Sequence, residues 1–570
     1  GGLLVGCFEP VGKPIDPAKI GHDFAFQLLP EDWDHFEPML NNALHRLPCL
    51  ADADMRMLLN GPESFTPDGS FLLGESAETQ GFFLGCGMNS VGVATGGGAG
   101  MALAHCIMHG HTPADLHEAD PKRFAGCFNS VQALSERVPE ILGTHYAIQY
   151  PGTQLTSARN LKTLPLHNEW QQHKAHFGQV YGWERPLFFN KRCEPELGFG
   201  KPEWFEQVRD EVDAAHDGAA IFDQSSFGKI GVSGPDAEAF LDRVCANNMR
   251  RHPGRAIYTA MLNERGGYES DLTALRLEPD RYRMYVGTST IKRDLAWLRR
   301  HLLQREQVQI EDQTDRFAVL ALMGPESTSI MAQLDASEIN QLGYFRHCRA
   351  RIADIEVDAV RLSYVGETGW ELTCKASQAQ QLFIKLREAG AKPAGVFAQT
   401  SMRIEKRFLA FGHDLDTDTN PFQAGLEFTL DWNSDFRITV DDVEATILNG
   451  DYVQNQYWLL AEIPTVPGAA VGSLHDLTVE LIGAGVSDTQ TDAILFDLTP
   501  IDQVLVLDRS GSMNDDDKLL SAQAGARIYV DGTNPGEQLG IVSFSNVAIT
   551  ESELAVLVDQ DDAAGVRGDA

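Results

Sequence analysis

The 570-residue sequence predicts a multidomain α+β chain. Short apolar runs bounded by glycine and proline recur along its whole length and alternate with helical patterns. A strand, Gly-Pro turn and helix scheme occurs twice, at Lys229–Pro235 and at Ala318–Glu326, which suggests an internally duplicated module. The charge also changes character near residue 436. Residues 437–570 hold five Lys and Arg against 23 Asp and Glu, a net of −18, which leaves −17 of the formal −35 for the longer first part. Such a length supports three to five domains, each able to bury a core.

Acidity of this order argues against a nucleic-acid partner. No apolar stretch reaches 18 residues, so no membrane span is expected. The nine cysteines all fall between Cys7 and Cys374 and form no dense framework, which suits a reducing compartment for the first part. The chain opens on Gly1 with no leader pattern, and the simplest reading is that its true N-terminus is missing.

Taken in order, Asn60–Gly69 carries two prolines and two glycines and reads as a loop. Phe71–Gly74 and Gly81–Gly85 read as strands. Cys86-Gly-Met-Asn-Ser90 and the glycine-rich run Val91–Gly100 follow as a turn, and Met101–His109 as a helix. Strand, glycine-rich turn and helix is one way for a backbone to approach a cofactor closely.

Gly61-Pro-Glu-Ser-Phe-Thr-Pro-Asp68, Gly87-Met-Asn-Ser90, Gly96–Gly100, His145-Tyr146 and Gly182-Trp-Glu-Arg-Pro186 occur in order. On these stretches residues 1–190 resemble the later half of the flavin part of dimethylglycine and sarcosine dehydrogenases. The resemblance implies that residues 1–120 are the C-terminal part of an FAD-dependent oxidoreductase domain. It points to Gly87, Asn89, Ser90, Gly97 and Gly98 as the flavin-contacting positions. No Gly-x-Gly-x-x-Gly after a strand, with an acid about 20 residues on, accompanies them. Residues 1–120 are therefore expected not to hold flavin tightly on their own. Residues 121–199 resemble the family's connecting region. His173 and His176 stand i, i+3 on an expected helix, without the carboxylates or spacing that a zinc site needs.

Residues 200–436 resemble the aminomethyltransferase of the glycine cleavage system, and more closely the folate part of dimethylglycine dehydrogenases. The matching residues are Tyr258-Thr-Ala-Met-Leu-Asn263, Gly266-Gly267, Asp271-Leu-Thr273, Tyr364–Glu371, Arg403-Ile-Glu405 and Asn420–Gly425. A carboxylate beside the folate amine can orient it and stabilise cationic charge on a one-carbon unit. Asp271 is the candidate for that catalytic role. The transferases carry two adjacent aspartates here, whereas this chain has Ser270 at the first. Glu367 and Glu371 could accept hydrogen bonds from the pterin, and Tyr258 could stack or hydrogen-bond.

Residues 437–500 read as a β-rich segment, a small sandwich or part of one. Residues 501–570 resemble the start of an α/β von Willebrand factor A domain, carried by Val504-Leu-Val-Leu-Asp-Arg-Ser-Gly-Ser-Met513 and Leu539–Ser545. Asp508, Ser510 and Ser512 then become candidate ligands of Mg²⁺, from hard oxygens on a loop after a parallel strand. The chain ends before the further loops that normally complete such a site.

Together these readings predict FAD-dependent oxidative N-demethylation of a dimethylglycine- or sarcosine-like amine. An electron acceptor takes the electrons and tetrahydrofolate takes the one-carbon unit. The setting expected for residues 1–436 is the cytoplasm, or the mitochondrial matrix in a eukaryote. The alternatives are a metal-dependent adhesion protein, with an extracellular or periplasmic tail that binds a protein ligand, and a non-functional chimera of two gene fragments.

Overall fold

A computed structural model describes residues 3–431 except 7, 125, 193 and 194, and then the segments 436–453, 456–462, 473–481, 486–495, 501–508 and 538–544. The chain divides into two compact units. The first comprises Gly1–Ala237, His252–Ala256 and Glu269–Asp418; the second comprises Glu238–Arg251, Ile257–Tyr268 and Thr419–Ala570.

At the centre of the first unit is a six-stranded sheet in the order His347–Ile352, Ile355–Val360, Gly369–Lys375, Phe317–Met323, Ala220–Asp223, Lys392–Ala394. Phe317-Ala-Val-Leu-Ala-Leu-Met323 is apolar at every position because both faces of that strand are covered. Leu320 and Leu322 join Trp170, Ile330, Trp370, Leu372 and Phe383 on one side. Ala321 and Met323 join Phe188, Phe222, Ala398 and Met402 on the other. A second, five-stranded sheet includes the antiparallel run Gln309–Asp312, Gly228–Ser233, Arg281–Val286, Tyr268–Glu278. Leu275, Val360 and Leu362 form a smaller buried cluster that packs the two sheets together.

The two expected Gly-Pro turns are both present and share one backbone device. Gly234 and Gly324 each adopt φ +132°. A Cβ at Gly234 would fall 2.1 Å from the Gln307 carbonyl oxygen, and one at Gly324 would fall 2.3 Å from that of Gly218. Both positions therefore exclude a side chain on two grounds, conformation and space.

Two expectations near the start of the chain need correction. The glycine run 92–100 is not a turn: one helix spans Gly92–His109 and contains it. Each glycine costs a helix about 1 kcal/mol relative to alanine. Packing overrides that cost, because Ala99, Ala102 and Leu103 seat on Phe71, Leu73, Leu116 and Ala119. Left-handed backbone at Gly87, Asn89 and Ser90 supplies the turn just upstream instead. His173 and His176 share no helix either. The helix His167–Gln172 ends at His173, Lys174 takes φ +54°, and His176 begins a strand. The two rings pack separately, His173 on Phe383 and His176 on Phe188.

The second unit contains two four-stranded sheets. One runs Val443–Glu444, Phe436–Val440, Leu474–Leu481, Val486–Leu495. The expected single run Val440–Ile447 is broken by Asp441 and Asp442, both at positive φ. The other sheet runs Thr446–Val453, Gln456–Glu462, Ile501–Asp508, Gln538–Phe544. It draws strands from both sides of residue 500, and its last two strands are parallel. Asp508 closes its strand, whereas Ser510 and Ser512 lie outside the described residues. No helix among the described residues is long and apolar enough to cross a membrane.

Candidate functional site

Two groups of chemistry-bearing residues stand out in the first unit. The first surrounds the glycine-rich helix. Asn89 is buried, and its side chain is spent on the turn: Oδ1 accepts from the Thr66 amide at 2.9 Å and Nδ2 donates to the Gly87 carbonyl at 2.6 Å. Ser90 Oγ donates to Glu63 at 2.6 Å. Asn89 therefore shapes this turn. Gly96, Gly97, Gly98 and Gly100 face open space, with no atom within 4 Å of where a Cβ would stand. A flat aromatic ring system fits such a surface, because bare backbone lets it approach closely.

The second group centres on Asp271. Strand Tyr268–Glu278 presents Glu269, Ser270 and Asp271 in succession, so Glu269 and Asp271 share a face opposite Ser270. Asp271 is half-buried, and its Oδ1 accepts the Phe411 amide at 3.2 Å. The Glu269 carboxylate pairs with Arg293, whose guanidinium lies 5.0 Å from the Phe411 ring centroid. Burial pushes the Tyr364 hydroxyl well above its ordinary range, with Arg403, Asp271 and Asp414 close enough to act on it. Arg403 is itself pinned by the Phe408 carbonyl at 2.8 Å and Asp414 at 2.7 Å. Loop 408–414 thus anchors both Asp271 and Arg403.

The other expected site residues have separate partners. Glu367 pairs with His216 at 2.9 Å. Glu371 sits on the central sheet opposite Ala321 and takes a hydrogen bond from Gln224. Tyr258 belongs to the second unit, where its ring lies 6.1 Å from that of Phe428. Among the described residues no group of three or more His, Cys, Asp or Glu is placed to hold a metal ion.

Burial pushes the Glu371 carboxyl from its ordinary 4.5 up to about 7. A raised acid favours its neutral form in the folded state. Its stabilisation is present below about pH 4.5 and is lost as pH rises through about 7. Glu371→Gln, which stays neutral, is expected to lose less stability than the parent between about pH 5 and 8 in chemical denaturation. Equal losses would overturn this.

Arg293 and Asp294 went unnoticed in the sequence, yet both are buried against the Asp271 strand. A signal was available. In Ile291–His301 they stand with Leu295 and Leu298 on the buried face, where an unpaired charge is costly.

Family-model comparison matches three successive segments. Residues 2–106 match the FAD dependent oxidoreductase model, 109–163 the FAD dependent oxidoreductase central domain, and 166–434 the GCVT N-terminal domain. The chain is 35% identical over 439 residues to 4-methylaminobutanoate oxidase (formaldehyde-forming) of Paenarthrobacter nicotinovorans, covering 75% of this chain and 53% of that protein. It is 34% identical over 475 residues to mitochondrial sarcosine dehydrogenase of Homo sapiens, covering 75% and 52%. It thus spans about half the length of these relatives. To the aminomethyltransferase of Thermotoga maritima it is 30% identical over 281 residues, covering 48% of this chain and 72% of that enzyme. With oxidoreductase segments leading into an aminomethyltransferase-type domain, the chain belongs to the dimethylglycine and sarcosine dehydrogenase family.

Proposed function

We propose that the chain serves FAD-dependent oxidative N-demethylation of an N-methylated amino acid, with the one-carbon unit passed to tetrahydrofolate. The observation that carries this is Asp271. It is a half-buried carboxylate fixed by a backbone amide, beside Arg403 and Tyr364, within the aminomethyltransferase-type segment. Bound FAD would accept the electrons of the amine and pass them to an external acceptor. Gly97 and Gly98 offer bare backbone to its ring, on a helix entered through the turn at Gly87, Asn89 and Ser90. Asp271 orients the folate amine and stabilises the positive charge of the arriving carbon. Glu371 and Glu367 are the further candidates for holding the pterin. The substrate class follows two relatives named for 4-methylaminobutanoate and sarcosine, both secondary N-methyl amines bearing a carboxylate. Calorimetric titration of the 570-residue chain with tetrahydrofolate at mildly acid pH is expected to show one saturable site. No heat above that of an unrelated protein would defeat the folate reading.

For the tail we infer weak Mg²⁺ binding through Asp508, Ser510 and Ser512. The favouring observation is that Asp508 closes a strand running parallel to Gln538–Phe544. Three ligands so close together in the sequence leave most of the octahedral shell to water, so a Kd at or above roughly 1 mM is expected. Tight binding that persists in Asp508→Ala would refute the assignment.

A further inference from the structure

We infer that Asp294 is a positioning residue for the candidate folate site: through Ser270 it controls the backbone that presents Asp271, and it leaves the local negative charge to Asp271. This rests on the folate reading above.

The geometry is closed on one side. Asp294 lies in the first turn of helix Ile291–His301 and is buried. Its Oδ2 meets two hydroxyls, Thr290 Oγ1 at 2.7 Å and Ser270 Oγ at 3.0 Å. Its Oδ1 is buried and has no hydrogen-bond partner. Among the described residues no salt bridge reaches it, and Arg293 favours its charged form only through space. Arg293 is taken by Glu269, and Lys122 lies 3.0 Å from Asp120, the other carboxylate near Arg293. Asp271 is the remaining acid acting on Asp294, and it is the more exposed of the two.

Of two neighbouring carboxylates, the more buried one keeps the proton more readily. Burial, opposed by Thr290, Arg293 and Ser270 and reinforced by Asp271, holds the Asp294 carboxyl up at about 7.

Ser270 gives this proton a consequence. Its Oγ stands 3.0 Å from Asp294 Oδ2 and 3.3 Å from the carbonyl oxygen of Asp271. A hydroxyl carries one proton. While Asp294 is neutral it can donate to Ser270, and Ser270 donates onward to the Asp271 carbonyl. Once Asp294 ionises, the Ser270 proton turns to it, and the Asp271 main chain loses that bond. The same change brings a second negative charge next to the one that the ligand needs.

The test has two arms, both on the 570-residue chain carrying Glu371→Gln, because the Glu371 carboxyl is also held up at about 7. Tetrahydrofolate affinity, measured by calorimetry from about pH 5.5 to 8.5, is expected to fall roughly tenfold through a transition near pH 7. Asp294→Asn should remove the transition and keep the acid-side affinity within about threefold. Ser270→Ala should shrink the transition to the part caused by charge alone, because its Asp294 still titrates. Infrared difference spectra supply the second arm, without folate. One protonated-carboxyl component should disappear on raising the pH through 7 and be missing in Asp294→Asn, while that of Glu211, also held up at about 7, remains. An affinity transition that survives in Asp294→Asn, or a band unchanged by that substitution, would overturn the proposal. A chain that binds no folate at any pH while the Asp294 band titrates as expected would instead remove the folate reading on which the role depends.

Discussion

Asp271→Asn is expected to cut one-carbon transfer to tetrahydrofolate by roughly a hundredfold or more, while folate affinity falls by about tenfold at most. The asparagine can still accept the Phe411 amide, so the loop anchoring is kept. It carries no charge, so the developing cation on the transferred carbon loses its partner. The measurement belongs in a full-length relative that carries the same Glu-Ser-Asp-Leu-Thr run. There, carbon from the N-methyl group can be followed into methylene-tetrahydrofolate or released formaldehyde. Amine oxidation should continue, with the product shifted to formaldehyde. Unchanged partitioning would reject the role of Asp271.

The largest stability loss is expected from Trp170→Ala. Trp170 is fully buried, with Phe383 at 4.6 Å and Phe189 at 5.2 Å between ring centroids. Removing so large a ring costs about 3–5 kcal/mol. Its Nε1 also donates to buried Asp223 at 2.7 Å, and loss of that donor adds about 1–3 kcal/mol. A total near 5 kcal/mol should appear as a lower denaturant midpoint. Trp170→Phe should lose mainly the hydrogen-bond part. A loss below about 2 kcal/mol for the alanine variant would mean that the core around the central sheet is far looser than its burial indicates.

Several elements were legible because one local rule decided them. The apolar run before Gly324 announced its strand, and Gly-Pro announced the turns at 234 and 324. The glycine run at 92–100 was misread because propensity is a local property, whereas that helix is held by Leu73, Leu116 and Ala119 from elsewhere in the chain. The same limit hid part of the candidate site. Asp271 was visible through its motif, but Phe411 lies 140 residues away and contributes only a backbone amide, for which side-chain type carries no signal. Arg293 and Asp294 were readable as charges at core positions, but their partners on the Asp271 strand were not.

The threading of the chain between its two units has a practical outcome for synthesis and for protein engineering. The backbone passes from one unit to the other at residues 237, 251, 256, 268 and 418. A ribosome that has delivered residues 238–268 must still make the 150 residues 269–418 before Thr419, so the second unit's segments wait without their companions. A stop codon near 430 would strand them in the same way. A single protease cut cannot release either unit intact. Fragments intended for separate expression would have to be circularly rearranged or spliced, and a simple cut at a family boundary is expected to produce aggregation-prone pieces.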